Sequence, residues 1–194
     1  MLKKIITLPL FLLLISFLFA FPMALGQTNV TKTTFQDPHT GITFQYPADW
    51  KVTTKEYTSA ILGEKDITDS GLYQDSNLVK PIVLLLPESM DGSSFLILSE
   101  LLPFPVPLEK YAELTRNSLV ADPTIKLSNN LPISLGNMSG LKYNVSSTSD
   151  PYSQTQILFV DDSKAFVVGY TVGETEQSKN IMAINSMIGS LRID

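Results

Sequence analysis

Residues 35–50 read F-Q-D-P-H-T-G-I-T-F-Q-Y-P-A-D-W. Ile42, Phe44 and Tyr46 alternate with Thr43 and Gln45, the period-2 pattern of a strand with one face buried. Asp37-Pro38 and Gly41 mark a tight turn before it, so residues 34–36 and 42–46 are expected to pair as a hairpin. Pro47 ends that strand, and Trp50, the single tryptophan of the chain, opens the next at residues 50–52. Phe35, Asp37, Gly41, Phe44, Tyr46, Pro47 and Trp50 therefore form an architectural motif. Gly41 permits the turn, the alternating aromatics face a core, and Trp50 packs into it.

Working outward, the 194 residues hold one ordinary domain plus a short extension, and 44% hydrophobic residues are enough to build its core. Residues 1–26 have Lys3 and Lys4 ahead of an almost wholly apolar run over 5–25, closing on Ala24-Leu25-Gly26. This is the layout of a secretory signal peptide. The run also approaches the roughly 20 residues that span a bilayer, so an uncleaved signal anchor is the competing reading. Either way everything after residue 26 is expected outside the cytoplasm, secreted or held at the outer face of the cytoplasmic membrane. Residues 27–33 are a polar linker and 34–194 the domain. Sequons at Asn29, Asn137 and Asn144 suit an exported chain, although Asn144 falls in an expected strand.

The net charge of −5 and the lack of a Lys/Arg cluster disfavour nucleic-acid binding. The absence of cysteine excludes disulfides, thiolate metal sites and Cys nucleophiles. Further strands are expected at 57–62, 81–86, 95–102, 133–135, 141–147, 155–160 and 165–172. Those at 81–86 and 95–102 are apolar at both parities and so should be covered on both faces. Pro103, Pro105 and Pro107 lead into a helix at 108–119, with Leu108, Tyr111, Ala112, Thr115 and Leu119 on one face. A second helix at 174–190 carries the apolar stripe Ile181, Ile184, Ile188 and Leu191, with Glu174 and Glu176 at its start. Strands, helix, hairpin strands and final helix give an α+β fold: a central antiparallel sheet inside a three-layer α-β-α sandwich.

The pattern F-x-D-x-x-x-G-I-x-F-x-Y-P-x-x-W, together with I-S-L-G-N-M-S-G-L-K-Y-N-V around Gly136 and Gly140, resembles PsbP-like domains over roughly residues 34–193. The resemblance implies an α-β-α sandwich and an exported prokaryotic member. The family's founding member is an extrinsic, lumenal subunit of photosystem II that helps retain calcium and chloride. Other relatives are exported prokaryotic proteins and a nuclear factor that binds the GTPase Ran. No metal-binding residue of the family matches a position here, so a photosystem role is implied by the family name alone.

Chemistry-bearing residues are few. His39 is the only histidine, so neither a Ser-His-Asp triad nor a histidine metal cluster can be assembled. Asp37 and His39 could supply two ligands from one turn, but two ligands do not make a site. G-N-M-S-G at 136–140 misplaces its serine for a nucleophile elbow and reads as a turn. Residues 63–78 read as a long acidic loop, in which Glu64, Asp66, Asp69 and Asp75 are candidate calcium ligands without EF-hand spacing. Asp161 and Asp162 read as turn residues. No enzymatic activity and no cofactor are expected. The expected role is a non-enzymatic accessory or binding domain for a membrane or envelope protein; the alternative is a small-ligand or calcium-binding protein.

Overall fold

In the computed structural model, which describes residues 31–53, 79–136, 138–148, 153–173 and 177–193, the opening hairpin forms as its sequence dictates. Strands β1 (Lys32–Asp37) and β2 (Ile42–Pro47) pair antiparallel with Phe35 opposite Phe44. Gly41 adopts φ 73°, a left-handed value that costs glycine nothing, and its N–H donates to the Asp37 carbonyl at 3.0 Å. The next strand, β3 (Trp50–Val52), follows Pro47 after two turn residues.

Eight strands then build the main sheet. They are β3, β4 (Val79–Pro87), β5 (Ser94–Leu101), β6 (Ile125–Leu127), β7 (Leu131–Leu135), β8 (Met138–Ser147), β9 (Ser153–Asp161) and β10 (Lys164–Thr171). The spatial order is β3-β4-β5-β10-β9-β8-β6, with β7 also paired to β8, and every pairing is antiparallel. Helix α1 (Leu108–Leu119) follows β5, and helix α2 (Gln177–Ser190) follows β10. A two-residue strand β11 (Arg192–Ile193) closes the chain against β2, so β1-β2-β11 is a separate small sheet.

Alternation along the strands sorts side chains onto two faces. On β9, Ile157 and Phe159 enter one core while Leu158 enters the other. The larger core joins Phe44, Trp50, Phe95 and Phe166 to Ile184, Met187 and Ile188 of α2. The smaller joins Tyr111 and Ala112 of α1 to Tyr143, Val145 and Ala165. The architecture is α+β, mostly antiparallel sheet with two helices. Residues 31–194 form one compact unit.

Several sequence expectations meet their counterparts closely. The 108–119 helix has the expected bounds, and Tyr111, Ala112 and Thr115 are buried on its expected face. Pro107 stands at the N-cap, with φ −58° and ψ 145°. The turn after Asp161 places Asp162 at φ 53°.

Other expectations change. Residues 136–140 are not all turn: Gly136 turns at φ 59°, but Met138, Ser139 and Gly140 already belong to β8. Gly140 is packed so tightly that a Cβ there would overlap the Phe159 ring. Strands β6 and β11 were not expected; each is too short to carry a readable period. Ile181 is not a core residue but 40% exposed, and Met187 takes the buried place on the stripe. The expected strand at 57–62, the acidic loop 63–78, the N-terminal segment, Asn29, Asn137, Glu174 and Glu176 lie outside the described residues. No helix among the described residues is long and apolar enough to cross a membrane.

Candidate functional site

The departure of Ile181 from the core leads to the site. On the sheet face toward α2, Lys142 of β8 stands beside Leu131 of β7 on one side and Ile157 of β9 on the other. One step along, Asn144, Thr155 and Tyr170 form a row across β8, β9 and β10. In this second row Asn144 and Thr155 put short polar groups where the neighbouring row has Ile157 and Val168. Helix α2 crosses above it with Gln177, Ile181, Ile184 and Asn185 on its underside, and it finds nothing there large enough to fill the gap. The result is a cleft of about 450 Å³, lined also by Ser128, Tyr143, Ser153 and Val172. That volume falls within the roughly 300–1,000 Å³ of small-molecule sites.

The lining is mixed: Leu131, Val172, Ile181 and Ile184 are its apolar side chains, and Ser128, Asn144, Ser153, Thr155, Gln177 and Asn185 its neutral polar ones. Thr155 donates from Oγ1 to Asn144 Oδ1 at 3.0 Å, which sets the amide's orientation. Lys142 is the one cation lining the cleft among the described residues, its Nζ 6.0 Å from the centre of the Tyr170 ring. No carboxylate lines it among the described residues. A glycan on Asn144 would stand in this cleft.

A larger groove, about 610 Å³, lies between the small sheet and the end of α2. It is shallower, and its two cations are already engaged. Lys32 Nζ donates to Ser186 Oγ at 3.0 Å, and an Arg192 guanidinium nitrogen donates to the Leu191 and Gly189 carbonyls. With Ser190 Oγ accepting the Gln45 N–H at 2.9 Å, this groove is the clasp that holds α2 to the hairpin.

The other end of α2 is held by a buried polar joint. Asn180 Nδ2 donates to Asp91 Oδ2 at 2.6 Å and to Ser93 Oγ at 3.0 Å, and Ser93 Oγ accepts the Gly173 N–H at 2.9 Å. The β4–β5 loop that supplies Asp91 and Ser93 is itself tightly wound, with Met90 at φ 49° and Gly92 at φ 88°. Asn180 Oδ1 and Asp49 Oδ1 are buried near the start of α2 without a hydrogen-bond partner. The joint fixes the height of α2 over the sheet, and with it the width of the cleft.

The sequence candidates fall elsewhere. Asp37 Oδ1 accepts the His39 N–H at 3.2 Å, and Asp37 Oδ2 accepts the Thr40 hydroxyl at 2.6 Å, so the carboxylate braces its own turn. His39 is exposed. Among the described residues no three His, Asp or Glu side chains converge to hold a metal; Asp66, Asp69 and Asp75 lie outside them. Phe35 and Phe44 stack at 5.1 Å between ring centres, and Phe44 meets Phe95 at 5.5 Å. Phe44 and Trp50 lie in the larger core, with Phe35 and Tyr46 packed against it.

A half-buried carboxyl is perturbed on the α1 side. Burial pushes the Glu100 carboxyl above its ordinary value, and the Tyr111 hydroxyl, donating at 2.6 Å, pulls only partly back. A carboxyl raised in the folded state stabilises fully below its unfolded pKa and loses that contribution as pH rises through the folded value. Glu100→Gln keeps the acceptor and removes the charge. Its melting temperature relative to the parent is therefore expected to be more favourable at pH 7 than at pH 4. A gain that shrinks as pH rises would contradict the burial argument.

No family model and no curated protein matches the chain. Solved structures do. The solution structure of cyanobacterial PsbP (CyanoP) from Synechocystis sp. PCC 6803 superposes with TM-score 0.56 at 13% identity, covering 87% of this chain and 96% of that one. The fold is PsbP-like. Two further structures match at lower similarity. LpqN of Mycobacterium tuberculosis, involved in cell envelope biogenesis, has TM-score 0.46 and 14% identity over 84% of this chain and 91% of its own. A Bacteroides thetaiotaomicron protein has TM-score 0.45 and 15% identity over 83% of this chain and 48% of its own.

The cleft residues escaped sequence reading for a definable reason. The signal present was a run of polar residues at core-facing parity: Lys142 and Asn144 on β8, Ser153 and Thr155 on β9. Only the strand register shows that these four lie together, and only the helix position shows what lies over them.

Proposed function

We propose that this chain is a non-enzymatic binding domain that works outside the cytoplasm, as an accessory to a membrane-associated assembly or to the cell envelope, and that its cleft holds a small ligand. The observation that carries the reading is the cleft between α2 and the β8–β10 face. It joins apolar side chains on α2 and β7, neutral hydrogen-bonding groups and, among the described residues, a single cation in a volume suited to one small molecule. The leader-like residues 1–26 support export, and the PsbP-like fold supports a scaffold that presents a site rather than a catalytic centre. We take the layering as α-β-α, with α1 on one face of the main sheet and α2 on the other.

Ile181→Asn tests the cleft with little risk to the fold, because Ile181 is 40% exposed. Protein purified from its native host is expected to carry a stoichiometric small molecule, seen by native mass spectrometry, that the variant loses. Absence of any such molecule, together with no thermal shift of either protein across a library of metabolites, would overturn the proposal.

A further inference from the structure

We infer that the cleft selects a small amphiphilic anion, an apolar body bearing one carboxylate, sulfonate or phosphate group, with Lys142 as its counter-charge. The inference rests on the reading of the cleft as a ligand site and adds the chemistry of the occupant.

Two observations give the apolar part. Leu131 and Ile181, on separate elements lining the cleft, are 59% and 40% exposed, an unusual state for residues so close to the larger core. Between them Tyr170, Val172 and Ile184 continue the apolar lining. A flat or chain-like hydrocarbon laid there removes both exposed side chains from water, the ordinary driving force of such binding.

Charge decides the rest. Lys142 sits in the middle of β8, half-buried, between apolar neighbours. Among the described residues it has no carboxylate within ion-pair distance. Its one described electrostatic partner is the face of Tyr170, and a ring quadrupole compensates a half-desolvated ammonium less well than an anion does. The lining offers the Asn144 and Asn185 amides and the Ser153 hydroxyl, which can donate to an anionic head without adding repulsion. The chain as a whole is negative, at −5. Charges beyond about 8 Å are screened at physiological ionic strength, however, so the ammonium in contact decides selection. A cationic ligand would meet Lys142 with no carboxylate among the described lining residues to offset it.

The test compares anilinonaphthalene sulfonate with neutral N-phenylnaphthylamine, which share an apolar body and differ in the anionic group. Residues 27–194, which contain the whole compact unit, are titrated with each dye, and fluorescence gives affinity and stoichiometry. One site for each dye is expected, with the sulfonate preferred roughly fivefold, the ratio that about 1 kcal/mol of partly exposed ion pairing yields. Lys142→Met should abolish the preference by weakening the sulfonate alone. Ile181→Asn should weaken both dyes, and decanoate should displace both. Equal binding of the two dyes, unchanged in Lys142→Met, would overturn the anion inference while leaving the cleft as a ligand site. Failure of both dyes to bind at one site, or insensitivity of both to Ile181→Asn, would overturn the cleft reading as well.

Discussion

Trp50→Ala is expected to lower the free energy of unfolding by about 3–5 kcal/mol, the range for removing a large buried aromatic. Trp50 is 2% exposed and belongs to the core that also holds Phe44, Phe95 and Ile184. It pairs with Pro87 at the short edge strand β3, where Trp50, Lys51 and Val52 face only Pro87, Leu86 and Leu85. Three residues of pairing cannot hold an edge strand alone, so the indole anchors it. The chain has no cysteine with which a disulfide could compensate. Urea denaturation followed by far-ultraviolet circular dichroism measures the loss. Trp50→Phe, which keeps most of the buried area, should lose much less. Equal losses in the two variants would show that cavity volume is not the cause.

Gly173→Ala is expected to cost about 3 kcal/mol, the upper part of the range for overpacking, and to impair the cleft as well. A Cβ at Gly173 would overlap the Asp91 backbone carbonyl, which belongs to the strained β4–β5 loop and has little freedom to retreat. The same glycine donates its N–H to Ser93, which in turn holds Asn180 of α2. Displacing it therefore moves the start of the helix whose underside roofs the cleft. Gly189→Ala is the matched control. It lies in α2 with open space around its missing side chain, and the gain in helix propensity predicts stabilisation of about 0.5–1 kcal/mol. Thermal melts and dye titrations of both variants distinguish a joint at Gly173 from a general intolerance of the helix region. Unchanged dye affinity in folded Gly173→Ala would mean that the joint does not set the cleft.

These two positions also show where sequence reading succeeds and stops. Trp50 announced its burial, because a lone tryptophan after a strand-ending proline has few other uses. Gly173 announced nothing. Its requirement comes from a loop 80 residues away in sequence, and a glycine between a strand and a helix is ordinary. The 108–119 helix was legible because its apolar spacing and the proline before it are local signals. The small sheet was only half legible: its hairpin is written in Asp37, Gly41 and the alternating aromatics, but its third strand is two residues long and exists because α2 delivers Arg192 and Ile193 beside β2.

The candidate site divides the same way. Attention drawn by residue type fell on Asp37 and His39, whose polar groups serve the turn they stand in. The residues that line the cleft are unremarkable one by one: a lysine and an asparagine in one strand, a serine and a threonine in the next, an isoleucine on a helix. By itself the sequence determined most of the described strands, both helices, the hairpin turn, the buried aromatics and the α+β class, since each follows from periodicity and backbone preference within a few residues. The tertiary structure alone decided that Asn144, Thr155 and Tyr170 share a row, that Lys142 has no carboxylate beside it among the described residues, and that Ile181 overhangs a gap. Those facts depend on the register between strands and on the height of a helix above them, and both are set by contacts between residues far apart in the chain.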